Sequence, residues 1–249
     1  MDAIISARGI QKSFGNQTAL KSIDVEFIKG ESVAIFGPNG AGKTTLLKVL
    51  STIVTPTKGD VIINGINIRK DPSRARKLIG VVSHETYLYD ELTARENLRF
   101  FGNMYGMEKD MLEERIAELL GQVVLLKRGN DRVGSFSRGM KQRLSIARAL
   151  VHKPSILLMD EPYTGLDQQA AEAFENVLRV LDTERVTKIM VSHNIERALQ
   201  ICDRVMIMDK GKIAYDNMKT EIADAESFRT IYLSLVRGDT DTEGVSNLR

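Results

Sequence analysis

Cysteine is almost missing from this chain: Cys202 is the only one in 249 residues. No internal disulfide can form, and nothing points to an oxidising compartment. Cys202 lies in the apolar–polar stretch Ala198-Leu-Gln-Ile-Cys-Asp203 and reads as a packed thiol without a chemical role. Long apolar runs are missing too. None approaches the roughly eighteen residues that a membrane span needs. Met1-Asp-Ala-Ile-Ile-Ser6 lacks the basic-then-apolar order of a secretory leader, so none is expected. If the chain works at a membrane, something else must hold it there. An excess of either charge is missing as well: 35 Lys and Arg stand against 33 Asp and Glu, a net charge of +2, with no long block of like charge. Binding to a phosphate backbone draws on a clear basic excess, so nucleic acid is not expected as a main partner. Internal repeats and low-complexity segments are not found. With 43% hydrophobic and 27% charged residues, the chain can bury a sizeable core, as one large domain or one domain with a substantial subdomain.

Against those absences one segment stands out. Gly37, Pro38, Asn39, Gly40, Ala41, Gly42, Lys43 and Thr44 fit the phosphate-loop pattern G-x-x-x-x-G-K-[ST] at every required position. Such a loop wraps backbone N–H groups around a nucleotide's phosphates, aims Lys43 at the β and γ oxygens, and offers the Thr44 hydroxyl to Mg²⁺. Glu31-Ser-Val-Ala-Ile-Phe36 before it suits a buried strand, and Thr45-Leu-Leu-Lys-Val-Leu50 after it has leucines at helical spacing. That order sets a helix N-terminus, including Thr45, against phosphate. A nucleoside triphosphate is the expected ligand.

The surrounding pattern predicts an α/β fold. Ile10–Gly15 and the alternating Leu20–Phe27 read as strands, and Asn64-Gly65 between Gly59–Asn64 and Ile66–Arg69 signals a hairpin. An antiparallel sheet is therefore expected beside the nucleotide-binding core. Leu78–Ser83, Ser155–Asp160 and Lys188–Ser192 read as buried strands, with a helix over Gln168–Leu181; together they predict a mostly parallel sheet. Residues 86–152 read as a helical insertion. Thr93 to Glu96 form a capping box ahead of Asn97–Phe101. Asp110–Leu120 places Met111, Leu112, Ile116, Leu119 and Leu120 on one face, and Gly121 can end that helix. Arg204–Asp209 and Lys212–Tyr215 suggest a closing hairpin, and the polar residues 237–249 a loose tail after a domain over 1–236. His152 is expected at an exposed helix end.

Ile156-Leu-Leu-Met-Asp160-Glu161 is an apolar strand ending in two acids. Downstream of a phosphate loop, Asp160 can hold Mg²⁺ through water and Glu161 can polarise the attacking water; without that loop, a solvated turn would account for both. Ser135–Arg143 reads locally as a helix start with Ser137 as N-cap and Leu144, Ala147, Leu150 and Val151 on the buried face. Such a start is also an anion site.

Taken together, these motifs make the chain resemble the nucleotide-binding subunit of an ATP-binding-cassette (ABC) transporter, from about Ile4 to Leu235. The resemblance implies a RecA-like ATPase core with an antiparallel β subdomain and a helical subdomain. Phe14, in Lys12-Ser-Phe-Gly15, matches the aromatic that stacks on adenine, although core packing is its rival role. Gly37–Thr44 matches the Walker A loop, Phe136-Ser-Arg-Gly-Met140 the signature sequence, and Met159-Asp-Glu-Pro162 the end of Walker B. Thr164-Gly-Leu-Asp167 matches the D-loop, and His193, in Val191-Ser-His-Asn194, the switch histidine. The resemblance further implies a head-to-tail pair, of this chain or with a related second subunit. Each Mg-ATP would lie between the Walker A loop of one chain and Ser137 and Gly139 of the other. Asp167 would communicate across the pair, and a polytopic permease would anchor it to the cytoplasmic membrane.

Two departures from the family pattern carry expectations. Arg138 and Met140 stand where glycine and glutamine are usual; Arg138 is tolerable if its side chain points away from the nucleotide. His84 stands where most of the family has glutamine near Mg²⁺. With Leu92–Leu98 it resembles the ATP-binding subunit of the haem exporter of cytochrome c maturation, unless it is a substitution without transport meaning. An imidazole there could bond a water on the metal, yet it ionises near neutrality. Tyr87, Leu88 and Tyr89 fall where the family places its groove for the permease's coupling helix, or serve ordinary packing. The alternative class is a soluble ABC ATPase that moves nothing across a membrane, such as the iron–sulfur cluster assembly ATPase.

Overall fold

The computed structural model describes residues 2–83 and 85–237; the expectations for His84 and for the tail beyond 237 lie outside the described residues. Strands β1 (Ala3–Phe14), β2 (Gln17–Ile28), β4 (Lys58–Ile63) and β5 (Ile66–Asn67) form an antiparallel sheet in the order β2-β1-β4-β5. Asn64 and Gly65 both have positive φ, 47° and 77°, and join Ile63 to its partner Ile66, as the sequence predicts for a two-residue hairpin.

The second sheet has the order β10-β9-β3-β8-β7-β6. Its members are β3 (Ser32–Phe36), β6 (Ile79–Val82), β7 (Ile156–Asp160), β8 (Thr187–Val191), β9 (Arg204–Asp209) and β10 (Lys212–Met218). All neighbours pair parallel except β10, which folds back on β9. Every residue of β3 and β8 is buried, so Val33–Phe36 and Ile189–Val191 read as continuous apolar stretches rather than alternating ones. One buried cluster fills the space between this sheet and the β subdomain around Leu46, Leu50, Ile35 and Ile189. Another covers the opposite face, around Phe36, Leu150, Leu157 and Phe174.

Helix α1 (Lys43–Leu50) follows the phosphate loop, and the short α2 (Pro72–Arg76) follows β5. Between β6 and β7 come α3 (Ala94–Met104), α4 (Lys109–Gln122) and α5 (Arg138–Leu150). The capping box at Thr93 is present in full: its Oγ1 accepts from Glu96 N at 3.2 Å, and Glu96 accepts from Thr93 N at 2.8 Å. Helix α6 (Gln168–Thr183) joins β7 to β8, α7 (Ile195–Ile201) joins β8 to β9, and α8 (Ala225–Arg237) is the last element among the described residues.

The structure corrects three expectations. Met111 is exposed: the buried stripe of α4 is Leu112, Arg115, Ile116, Leu119 and Leu120, and Met111 precedes it by one position, about 100° around the helix. Gly121 lies inside α4, and the reversal falls to Val123 and to Val124, whose φ is 56°. His152 is not an exposed helix end. Its ring stacks on Tyr105 at 3.8 Å and 6°, and its Nε2 donates to Ile79 O at 3.1 Å. This tautomer leaves Nδ1 buried without a partner among the described residues, and burial lowers the His152 pKa to about 4. A lowered folded pKa gives stability that is complete above the unfolded value near 6.5 and is lost as the pH falls toward 4. Thermal melts should therefore show an acid-induced loss across that window of up to about 3 kcal/mol. His152→Gln should flatten it.

Candidate functional site

The carboxyl ends of β3, β7 and β8 open on one edge of the parallel sheet, because the register pairs Ile35 with Val191 and Val191 with Asp160. Open α/β sheets bind ligands at that edge. Each strand then delivers one piece of chemistry: the phosphate loop after β3, Asp160 and Glu161 at the end of β7, and His193 two residues after β8. They line one cavity of about 510 Å³. The sequence-predicted residues that reach it are Phe14, Asn39, Gly40, Ala41, Gly42, Lys43, Thr44, Thr45, Asp160, Glu161 and His193.

Two of the loop's three glycines are required by close approach. A Cβ on Gly37, at φ 146°, would collide with Met208 O. One on Gly42, at φ 104°, would lie 2.7 Å from Ala19 O. Backbone therefore packs directly on backbone at these two points. Lys43 is 7% exposed, and its Nζ donates to Gly37 O at 2.7 Å and Pro38 O at 3.0 Å. Burial lowers its pKa, partly offset by Glu161 and Asp160.

Glu161 sits at φ 52°, an unusual backbone for a glutamate, fixed by its N–H donating to Val191 O at 3.1 Å. That bond holds the residue beside the turn after β8, where Oε1 lies 3.3 Å from His193 Nε2 without hydrogen-bond geometry and has no other partner among the described residues. Desolvation raises the Glu161 pKa; His193 and Lys43 act the other way. Asp160 and the Thr44 hydroxyl are hard oxygen donors on the same cavity. No cluster of three metal-binding side chains occurs among the described residues. The set suits Mg²⁺, which takes one or two protein oxygens and completes its shell with phosphate and water.

Other expected residues stand apart. Ser137 and Gly139 are outside the cavity at the start of α5, where Ser137 Oγ accepts from Met140 N at 3.3 Å. Asp167 caps α6, accepting from Ala170 N at 2.8 Å. Pro38 and Gly37 act through the loop backbone rather than the cavity wall. Sequence reasoning missed Gln17, Thr18, Ala19, Lys21, Lys210 and Gly211, which complete the wall with Val191. Lys210-Gly211 shows only as a hairpin turn; its approach to the loop, with Gly211 N donating to Ala41 O at 3.0 Å, leaves no local signal.

The sequence profile described as ABC transporter matches residues 20–164, more than half of the chain. The chain belongs to the ABC transporter family. It is similar to the linearmycin resistance ATP-binding protein LnrL of Bacillus subtilis, 38% identical over 94% of this chain and 76% of that protein. It is also similar to the Nod factor export ATP-binding protein I of Cupriavidus metallidurans, 34% identical over 91% and 75%. Among solved structures it resembles the dimeric post-hydrolysis state of an ATP-binding cassette bound to ADP and Pi. That match has a TM-score of 0.79 and 27% identity over 86% of this chain and 98% of that one. As an ABC cassette it is an ATPase that binds ATP with Mg²⁺.

A raised folded pKa means the protonated form of Glu161 is favoured on folding, and that gain disappears as the pH rises through the folded value. At neutral pH the ionised carboxylate is thus a stability cost. Glu161→Gln should raise the melting temperature of the nucleotide-free chain at pH 7, with a smaller gain near pH 4.5; an unchanged melt would remove the desolvation argument.

Proposed function

We propose that this chain is the ATP-hydrolysing subunit of an exporter, working as a head-to-tail pair bound to a polytopic permease on the cytoplasmic side of a membrane. One observation carries the pair: the phosphate loop, Asp160, Glu161 and His193 share a cavity, whereas Ser137 and Gly139 sit outside it on a helix start that reaches the surface. A single chain offers half a cage. A second copy, or a related subunit, would present its own Ser137 and Gly139 to the open side.

In this reading the loop amides and Lys43 take the β and γ oxygens, and Phe14, half-exposed on the cavity rim, offers its ring to the base. Thr44 and Asp160 would hold Mg²⁺, which supplies charge neutralisation on the phosphates. Glu161 accepts the proton of the attacking water. Its raised pKa moves it toward the range where a general base works best. His193, beside Glu161, contacts the γ-phosphate, and Asp167 borders the partner. Backbone amides, Lys43 and the opposite Ser137 and Gly139 meet the charge that develops as the γ-phosphoryl departs.

Export is supported by relatives named for antibiotic resistance and for Nod factor export. These names do not support the haem-exporter likeness, which rests on His84 and the sequence around it. No helix among the described residues is long and apolar enough to cross a membrane, so membrane attachment would come from the permease. Exposed Tyr87 and Tyr89, beside half-buried Leu88, would meet it.

Glu161→Gln should bind ATP and form a lasting ATP-bound pair on gel filtration, with phosphate release reduced by roughly a hundredfold or more; normal turnover would remove Glu161 as the base. Affinity purification from detergent-solubilised membranes should bring down a polytopic protein. Recovery of a soluble scaffold instead would overturn the transport reading.

A further inference from the structure

Arg138, where the family pattern has glycine, does not line the nucleotide cavity. Its side chain lies across Gly165 of the D-loop in the same chain: a Cβ on Gly165 would sit 3.2 Å from Arg138 Nε, 3.4 Å from Cδ and 3.5 Å from Cγ. Gly165, at φ 81°, leaves that space open. On the next residue of α5, a Cβ on Gly139 would lie 3.2 Å from Gly165 O. One helical turn along, buried Gln142 donates through Nε2 to Pro162 O at 3.4 Å. One face of the signature helix is therefore braced against residues 162–165 at three points.

Those residues are in turn fixed to Glu161. Thr164 N donates to Glu161 O at 3.1 Å, and Leu166 N donates to Tyr163 O at 3.1 Å. Two overlapping turns thus link the Glu161 backbone to Gly165. The Arg138 stem in turn links Gly165 to Ser137 and Gly139, its neighbours in the chain.

We propose that Arg138 is a positioning residue that couples the two ATP sites of the pair: it ties the hydrolytic end of β7 in one chain to the helix start that the same chain lends to its partner's nucleotide. This rests on the head-to-tail pair proposed above. The tie is made by the side-chain stem packing on a glycine, not by the guanidinium charge. A smaller residue leaves Gly165 free, and the partner's cage then closes without reference to the state of this chain's own site.

The test uses the full chain and compares Arg138→Gly, Arg138→Met and Arg138→Lys. Intrinsic ATP affinity of the single chain, read with a fluorescent ATP analogue, should match wild type in all three. In wild type, the ATPase rate should rise cooperatively with ATP. Arg138→Gly should lower the Hill coefficient toward unity and raise the ATP concentration for half-maximal pairing by about fivefold or more. Arg138→Met and Arg138→Lys keep the stem and should stay near wild type. If Arg138→Met behaves like Arg138→Gly, charge rather than the brace is at work and the proposal is overturned. It is also overturned if Arg138→Gly keeps wild-type cooperativity. Non-cooperative turnover in wild type, with no ATP-dependent pair in Glu161→Gln, would sink the pair itself and the coupling with it.

Discussion

Parallel pairing of β7 with β8 is the constraint on which the site depends. It sets Asp160 against Val191 and leaves the two following turns side by side, and the Glu161 N–H then reaches back to Val191 O. Along β7, Leu157 and Met159 enter one buried cluster while Ile156 and Leu158 enter the other. A one-residue slip would exchange those two sets and separate Glu161 from His193. Both layers would then have to repack, so the hydrophobic core enforces the geometry of the chemistry. The positive φ of Glu161 is strain held in place by this pairing.

Four buried or half-buried cations among the described residues fall into two kinds. Arg115 and Lys188 are each paired with a more exposed acid, Glu118 at 2.8 Å and Asp182 respectively, so their charge is answered within the fold. Arg148 and Lys43 are held by carbonyls instead. Arg148 donates to Val81 O at 2.8 Å and lies 5.3 Å from the Phe101 ring centroid and 5.8 Å from that of Tyr87, and burial lowers its pKa. Lys43 is held by the two carbonyls of its own loop. A buried cation without an ion-pair partner is costly, and an incoming anion relieves that cost. Lys188 is thus answered by a carboxylate within the fold, whereas Lys43 is not, as the proposed role of Lys43 on phosphate requires.

Much of this was legible in the amino-acid order because the decisive features are local. A phosphate loop needs its glycines and lysine at fixed spacing, a buried parallel strand is a plain apolar run, and a capping box is four residues long. The strands leading to Phe36, Asp160 and Val191 were readable for that reason, and so was the α/β architecture. The long-range features were not. Nothing around Lys210-Gly211 says that this turn will touch Ala41, and nothing around His152 says that Tyr105 will cover it. Helix α8 is a different case. Phe228, Ile231, Tyr232 and Leu235 recur at helical spacing and pack on the core, with the Phe228 ring 5.0 Å from Phe36, so a local signal exists there. Met111 illustrates the opposite hazard: a hydrophobic residue adjoining a buried stripe reads as part of it.

One glycine does double duty at the seam between the two layers. The Gly211 N–H donates to Ala41 O, and the Gly211 carbonyl accepts from Lys21 N at 2.8 Å. Lys21 lies on β2, so the second bond ties the antiparallel leaf to the parallel one at the rim of the cavity, while the first ties the β9–β10 turn to the phosphate loop. Shear between the leaves strains the Lys21 bond directly and, through the same glycine, pulls on the turn that holds the phosphate loop, so the seam and the loop resist sliding together.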